Sequence, residues 1–245
     1  MKIALASAPV INRDIQYNTN VMLQTIADCS GKCNLILFGE SVLQGFDCLT
    51  WDYETDRKMA VTQDDPAINQ LRDAARQYGV AVSFGYIEAV DETLYSSQLV
   101  IDAAGRIIHN FHRVSEGWKE YSKTDAHYCE GARFEAFDFG GKRMAIALCG
   151  DLWTDGRPEE MRELNVDVVL WPVWCDYQTD EWNTSIKHEY AEQAELCGDC
   201  VLLVNPYCAD PGAEDCAAGG AAYFAGGRIV EESPAGKPGV LVVEL

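Results

Sequence analysis

The sequence predicts an α/β fold built from two similar half-units, and three observations carry that expectation. Short apolar runs bounded by turn residues recur along the 245-residue chain. Helical patterns separate several of these runs, and the first half of the chain reads like a variant of the second. The apolar runs fall at Lys2 to Ser7, Asn34 to Phe38, Val80 to Phe84, Gln98 to Ile101, Arg143 to Leu148, Asp167 to Pro172, Val201 to Asn205 and Ala221 to Phe224. Each is apolar at consecutive positions rather than alternate ones, which is the mark of strands buried on both faces. Between them, helical patterns cover Tyr17 to Cys29, Pro66 to Tyr78, Pro158 to Leu164 and Glu181 to Cys197. Pro66 stands where a helix begins, since its missing N–H and fixed φ cost nothing in the first turn.

Laid over itself, the chain repeats. KIALAS, NLILFG, GVAVSFG and LVIDAAGRII occur in the same order as MAIALCG, VVLWPV, VLLVNP and AAYFAGGRIV. Each half has strand, helix, strand, helix, strand, and then a strand pair turned by Ala-Gly or Gly-Gly before Arg-Ile. Two such units can pack their sheets face to face with helices outside, burying both faces of each sheet. The expected architecture is a four-layer α-β-β-α sandwich, with a doubly wound single sheet as the alternative. No linker rich in Pro, Gly or Ser divides the halves, so residues 1–245 are expected to fold as one domain.

Composition narrows the function. With 39 Asp and Glu against 19 Lys and Arg, the formal charge of −20 opposes affinity for nucleic-acid backbones and anionic lipid. The apolar run at Met1 to Ala8 stops at Pro9, too short for a secretory signal, and no stretch approaches the length of a membrane span. These features predict a cytoplasmic protein without nucleic-acid or membrane partners. The ten cysteines are scattered through strand-like and helix-like segments, which speaks for reduced, buried thiols. Cys197-Gly198-Asp199-Cys200 has the spacing of half a zinc site, but no second pair of ligands matches it, and no metal is expected. The four histidines, His109, His112, His127 and His188, read as structural.

In α/β folds, reactive groups sit just beyond the carboxyl ends of strands. Two strand tips qualify: Leu37-Phe38-Gly39-Glu40-Ser41 presents a carboxylate, and Ala147-Leu148-Cys149-Gly150-Asp151 presents a thiol at a sharp turn into a helix. Free amides at such a turn favour a thiolate and can hold an oxyanion. Trp174 and Tyr177, beyond the next strand tip, are candidate walls of a substrate pocket.

Together these segments resemble the nitrilase superfamily of carbon-nitrogen hydrolases, over essentially the whole chain. LILFGESVLQGFD is similar to that family's base-bearing strand and turn. AIALCGDLW is similar to its nucleophile strand, and YCEGARFEAFDFGGKRMAIALCGD to the approach into it. The resemblance implies an α-β-β-α sandwich with a Glu, Lys and Cys triad: Glu40 as general base, Cys149 as nucleophile and the Gly150 N–H as oxyanion donor. It also implies a homo-oligomer and no metal or organic cofactor. The expected activity is an amidase-like hydrolysis of a small amide or N-carbamoyl compound through a thioester. The alternatives are a glutaminase that serves a separate synthetase, and a non-catalytic binder of a small molecule or protein.

One segment departs from the family pattern: Arg113 stands where the lysine would fall. Arginine can donate hydrogen bonds to an oxyanion but does not exchange protons. Lys119, six residues on, is the first choice for the cation, with Arg113 the other. Glu116, Glu120 and Asp125 are candidates for a second carboxylate that positions it.

Overall fold

The computed structural model describes residues 1–210 and 212–245. Its strands are β1 (Lys2–Ser7), β2 (Pro9–Val10), β3 (Leu35–Phe38), β4 (Ala81–Val90), β5 (Thr93–Ile101), β6 (Ile107–His112) and β7 (Ala136–Phe139) in the first part of the chain. There follow β8 (Lys142–Ile146), β9 (Val168–Pro172), β10 (Val201–Val204), β11 (Tyr207–Cys208), β12 (Ala221–Ala225), β13 (Arg228–Ser233) and β14 (Gly239–Glu244). The helices are α1 (Ile15–Cys29), α2 (Tyr53–Asp56), α3 (Pro66–Tyr78), α4 (Arg157–Glu163), α5 (Thr179–Glu181) and α6 (Lys187–Cys197).

Two six-stranded sheets run β14-β1-β3-β4-β5-β6 and β13-β12-β10-β9-β8-β7. In the first, β1, β3 and β4 are parallel and β4, β5 and β6 antiparallel; in the second, β8, β9 and β10 are parallel and β10, β12 and β13 antiparallel. The repeat read from sequence is therefore a repeat of topology. Each unit receives a sixth strand, β14 beside β1 and β7 beside β8, both antiparallel.

Strand alternation assigns each face. Ile3, Leu5, Leu35 and Leu37 turn inward and share a core with Met144, Ile146, Leu170 and Leu203 of the second sheet. The intervening Ala4, Ala6, Ile36 and Phe38 pack on Met22 and Ile26 of α1 and on Ile68 and Leu71 of α3. Burying each of the larger of these side chains contributes about 1.5–3 kcal/mol. On the far side, α4 packs against α6, which lies over β12 and β13. The result is the four-layer α-β-β-α sandwich, not a single doubly wound sheet. The ends of α3 follow local chemistry: Asp65 accepts from the Ala67 N–H, Pro66 opens the helix, and Gly79 closes it in the left-handed region.

The structure extends the sequence reading in three places. Strand β4 continues past Phe84 to Val90 as a long hairpin with β5, although Gly85 and the buried Glu88 interrupt its apolar run. Strand β7, at a sheet edge, carries too short a pattern to stand out. The helix expected over Glu181 to Cys197 contains a wide π turn at Trp182–Ile186, where Trp182 is buried and Asn183 bonds the backbone of Ala235 on both sides. No helix among the described residues is long and apolar enough to cross a membrane.

Candidate active site

The ends of β3, β6 and β8 converge on one polar centre within the sandwich. Beyond β3 the chain turns sharply, with Ser41 at φ +51°, and the Glu40 N–H bonds the Val173 carbonyl beyond β9 at 3.3 Å. The turn can lie this close to β4 because Gly85 has no side chain: a Cβ there would stand 2.3 Å from the Ser41 nitrogen. Glu40 is wholly buried.

Arg113 follows the last residue of β6, and its N–H bonds the Ser96 carbonyl of β5 at 2.8 Å. Its guanidinium is 3% exposed and meets Glu40 directly, Nη1 donating to Oε1 at 2.8 Å. Nε donates to Ser115 Oγ at 2.9 Å and lies 4.0 Å from Asp151 Oδ1. Burial works against the guanidinium's charge, but Glu40, Cys149 and Asp151 around it more than compensate and hold it protonated. Ser96 Oγ also donates to Glu40 Oε1, at 3.4 Å, whereas Oε2 has no hydrogen-bond partner among the described residues. A buried carboxylate oxygen left unpaired is costly. That oxygen has a lone pair available to a proton or a ligand.

Cys149 opens a 3-10 turn (Cys149–Trp153) that follows β8 after Ala147 and Leu148, at φ +41°. Such backbone strain in a non-glycine residue is tolerated where a reactive side chain must be presented. The thiol is half-buried and donates to the Trp174 carbonyl at 3.4 Å, while Trp171 Nε1 donates to the Cys149 carbonyl at 2.9 Å. The Gly150 N–H lies in the first turn, where helical donors have no partner within the helix.

Asp151 ties the two loops together. Its Oδ2 accepts from the Leu148 N–H at 2.8 Å, and its Oδ1 accepts from Val114 and Ser115 N–H at 3.1 and 2.8 Å. One buried carboxylate thus fixes the turn that carries Cys149 to the segment that carries Arg113. Burial raises its pKa to about 6, against the opposing pull of Arg113 and the amides. A cavity of about 690 Å³ opens beside this centre, lined by Arg113, Ser115, Glu116, Gly117, Gly150 and Trp153 among others.

The structure brings Glu40, Arg113, Cys149 and Gly150 together, and it places Lys119 elsewhere. Lys119 Nζ bonds the Tyr128 carbonyl at 2.6 Å and Glu130, whose other partner is Trp118 Nε1. Trp118 is buried in a small apolar cluster with Tyr128, and this anchors the lysine there. Of the three acids proposed for a second carboxylate, Glu116 lines the cavity beside Arg113. Glu120 is exposed beside Lys123, and Asp125 is exposed on His127. Asp151, the carboxylate nearest Arg113 after Glu40, stands at the third position of the Cys-Gly-Asp motif; that motif was its available signal. Ser96 and Ser115 carry no sequence signal of their own.

Trp174 is buried and stacked on Phe46, and it meets the thiol through its carbonyl rather than its ring. Tyr177 is partly exposed, edge-on to Tyr190. Three of the histidines have partners away from the thiol: His109 stacks on Phe137, His112 bonds Glu88 and His127 bonds Asp125. Among the described residues no group of three or more His, Cys, Asp or Glu side chains could hold a metal ion.

Residues 2–245 match the model of the carbon-nitrogen hydrolase family. An (R)-stereoselective amidase of a Pseudomonas species is 26% identical over 69% of this chain and 59% of its own length. An aliphatic nitrilase of Rhodococcus rhodochrous is 26% identical over 73% of this chain and 52% of its own. The chain thus spans little more than half the length of these relatives. Among solved structures, the amidase of Nesterenkonia AN1 from the nitrilase superfamily superposes with a TM-score of 0.79, at 20% identity, covering 100% of this chain and 90% of that one.

Proposed function

Since the chain belongs to the carbon-nitrogen hydrolase family, we propose that it hydrolyses a small amide or N-carbamoyl compound, with Cys149 as nucleophile, Glu40 as base and Arg113 as the fixed cation. The observation that carries this reading is the buried Glu40–Arg113 pair, whose unpaired Oε2 leaves one carboxylate oxygen for proton transfer. Glu40 accepts the Cys149 thiol proton as sulfur attacks the carbonyl carbon. The oxygen of the tetrahedral intermediate takes hydrogen bonds from Arg113 and from the Gly150 N–H; one such donor is worth about 3–4 kcal/mol. Glu40 returns the proton to the departing nitrogen, the C–N bond breaks, and ammonia or an amine leaves an acyl thioester on Cys149. Water, deprotonated by Glu40, then splits the thioester to the acid and restores the thiol.

A guanidinium cannot exchange protons at neutral pH, so in this scheme every proton passes through Glu40. Arg113 acts by charge and direction alone. Asp151 and Ser115 hold it in place, and the cavity that Arg113 and Gly150 line leads toward it from outside.

The test is ammonia release from panels of amides, carbamoyl compounds and nitriles, run beside Cys149→Ala. The reading expects acid and ammonia in equal amounts from primary amides, or amine, carbon dioxide and ammonia in equal amounts from N-carbamoyl compounds, with the wild-type chain and none with the variant, whose circular dichroism is unchanged. Undiminished release by Cys149→Ala removes it.

A further inference from the structure

The guanidinium of Arg113 has three nitrogens, and two of them are accounted for: Nη1 on Glu40 and Nε on Ser115. The third, Nη2, lies against two residues without side chains. A Cβ on Gly150 would stand 2.8 Å from Nη2 and 4.0 Å from Cζ; a Cβ on Gly117 would stand 3.1 Å from Nη2. These two glycines come from different segments, one following the nucleophile and one following β6, yet both are open on the same nitrogen. Neither has a left-handed φ that would demand glycine for backbone reasons. Their common feature is the space they leave.

We propose that Gly150 and Gly117 are positioning residues for Arg113: together they form the slot that admits the third guanidinium nitrogen, and arginine at position 113 requires both. An ammonium on a lysine stem is a single point, whereas a guanidinium is a planar fork that needs room on a second side. With a side chain at position 150, Nη2 would have to retreat by about 0.7 Å to reach the shortest favourable contact. Glu40 holds Nη1 and Ser115 holds Nε, so the retreat would break the bond to Glu40 or turn the fork away from the thiol. The departure from lysine at position 113 and the bare residue after the nucleophile are, on this view, one adaptation.

This rests on Arg113 being the functional cation, and the experiment separates the two claims. The four chains wild type, Gly150→Ala, Arg113→Lys and the double variant are compared by the rate at which iodoacetamide alkylates Cys149, followed by peptide mass mapping, and by thermal midpoint. Gly117→Ala is carried in parallel. Displacement of a fixed group by a fraction of an ångström is expected to slow alkylation about tenfold in Gly150→Ala, and less in Gly117→Ala. In the Arg113→Lys background the same glycine substitution should cost at most about a third of that factor, because the slot then has no nitrogen to displace. The midpoint should show the same inequality. Equal losses in both backgrounds, or no loss in either, overturn the slot. The reading of Arg113 as the cation fails separately, if Arg113→Met alkylates and turns over at the wild-type rate.

Discussion

Replacing Arg113 by methionine keeps an unbranched apolar stem and removes all five N–H donors of the guanidinium. Arg113 is 3% exposed and Glu40 is wholly buried. Without the 2.8 Å bond from Nη1, Glu40 keeps only the long 3.4 Å contact from Ser96, and Asp151 loses its nearest cation. Removing one partner of a buried ion pair costs about 3–5 kcal/mol, most of it the penalty on the charge left behind. Arg113→Met should therefore lose about 3–5 kcal/mol of unfolding free energy in urea at pH 7, read by the fluorescence of the six tryptophans. Glu40→Gln should cost less, since its amide oxygen still accepts from Nη1. In the double variant no buried charge of the pair remains, so its loss should fall short of the sum of the singles by about 1–3 kcal/mol. Turnover should fall in Arg113→Met by about 10²–10³, the worth of one oxyanion donor. A loss of stability below about 1 kcal/mol, in the range of an exposed ion pair, would refute the account of this pair as a buried one. Strict additivity in the double variant would do the same.

Lys119→Met should behave differently. It breaks the half-buried bonds to Glu130 and the Tyr128 carbonyl, so it should lower the thermal midpoint while turnover per folded molecule stays near wild type. A fall of orders of magnitude in a folded variant would transfer the cation's role to Lys119. Glu88 offers a test of pH dependence. Burial would raise its pKa, but hydrogen bonds from His112, Asn110, Gln63 and Ser97 outweigh it and lower the value to about 2. Since the folded value lies below the unfolded one, its contribution is complete above the ordinary glutamate range and is lost as pH falls toward about 2. Glu88→Gln should flatten the acid side of the stability curve between about pH 5 and pH 2 by about 3 kcal/mol. An unchanged slope in urea titrations across that window would show that Glu88 does not carry it.

What the sequence revealed, and what it hid, divides along a physical line. Apolar runs fixed by burial on both faces could be read directly, and so could their repetition, because both are properties of neighbouring residues. Glu40 and Cys149 were legible for a related reason: each lies at the tip of such a run, and the position of a strand tip fixes which end of the sheet its next residues occupy. The direction of Arg113 is of another kind. It depends on the register of β6 against β5, which pairs His112 with Ser97 and so sets Arg113 opposite Ser96, whose own hydroxyl reaches Glu40. Lys119 follows in an irregular segment, where no period tells which way a side chain points. It was drawn aside by Trp118, buried against Tyr128, and by the acid at Glu130.

The same register explains why arginine can stand where lysine is the pattern. Ending β6 at His112 delivers Arg113 into the interior between the sheets with its Nε facing Ser115 and its Nη1 facing Glu40. Two contacts at separate nitrogens of a planar group settle its rotation and direct the third nitrogen toward Gly150 and Gly117. Asp151 then bonds the Val114 and Ser115 amides from the turn that carries Cys149, so that Arg113 and Cys149 cannot drift apart without loss of that buried carboxylate's partners. Electrostatic stabilisation depends on donors fixed before the charge develops. In the proposed mechanism a cation that does not exchange protons but is held at Nη1 and Nε meets that requirement, and the unpaired oxygen of Glu40 is left to take the thiol's proton.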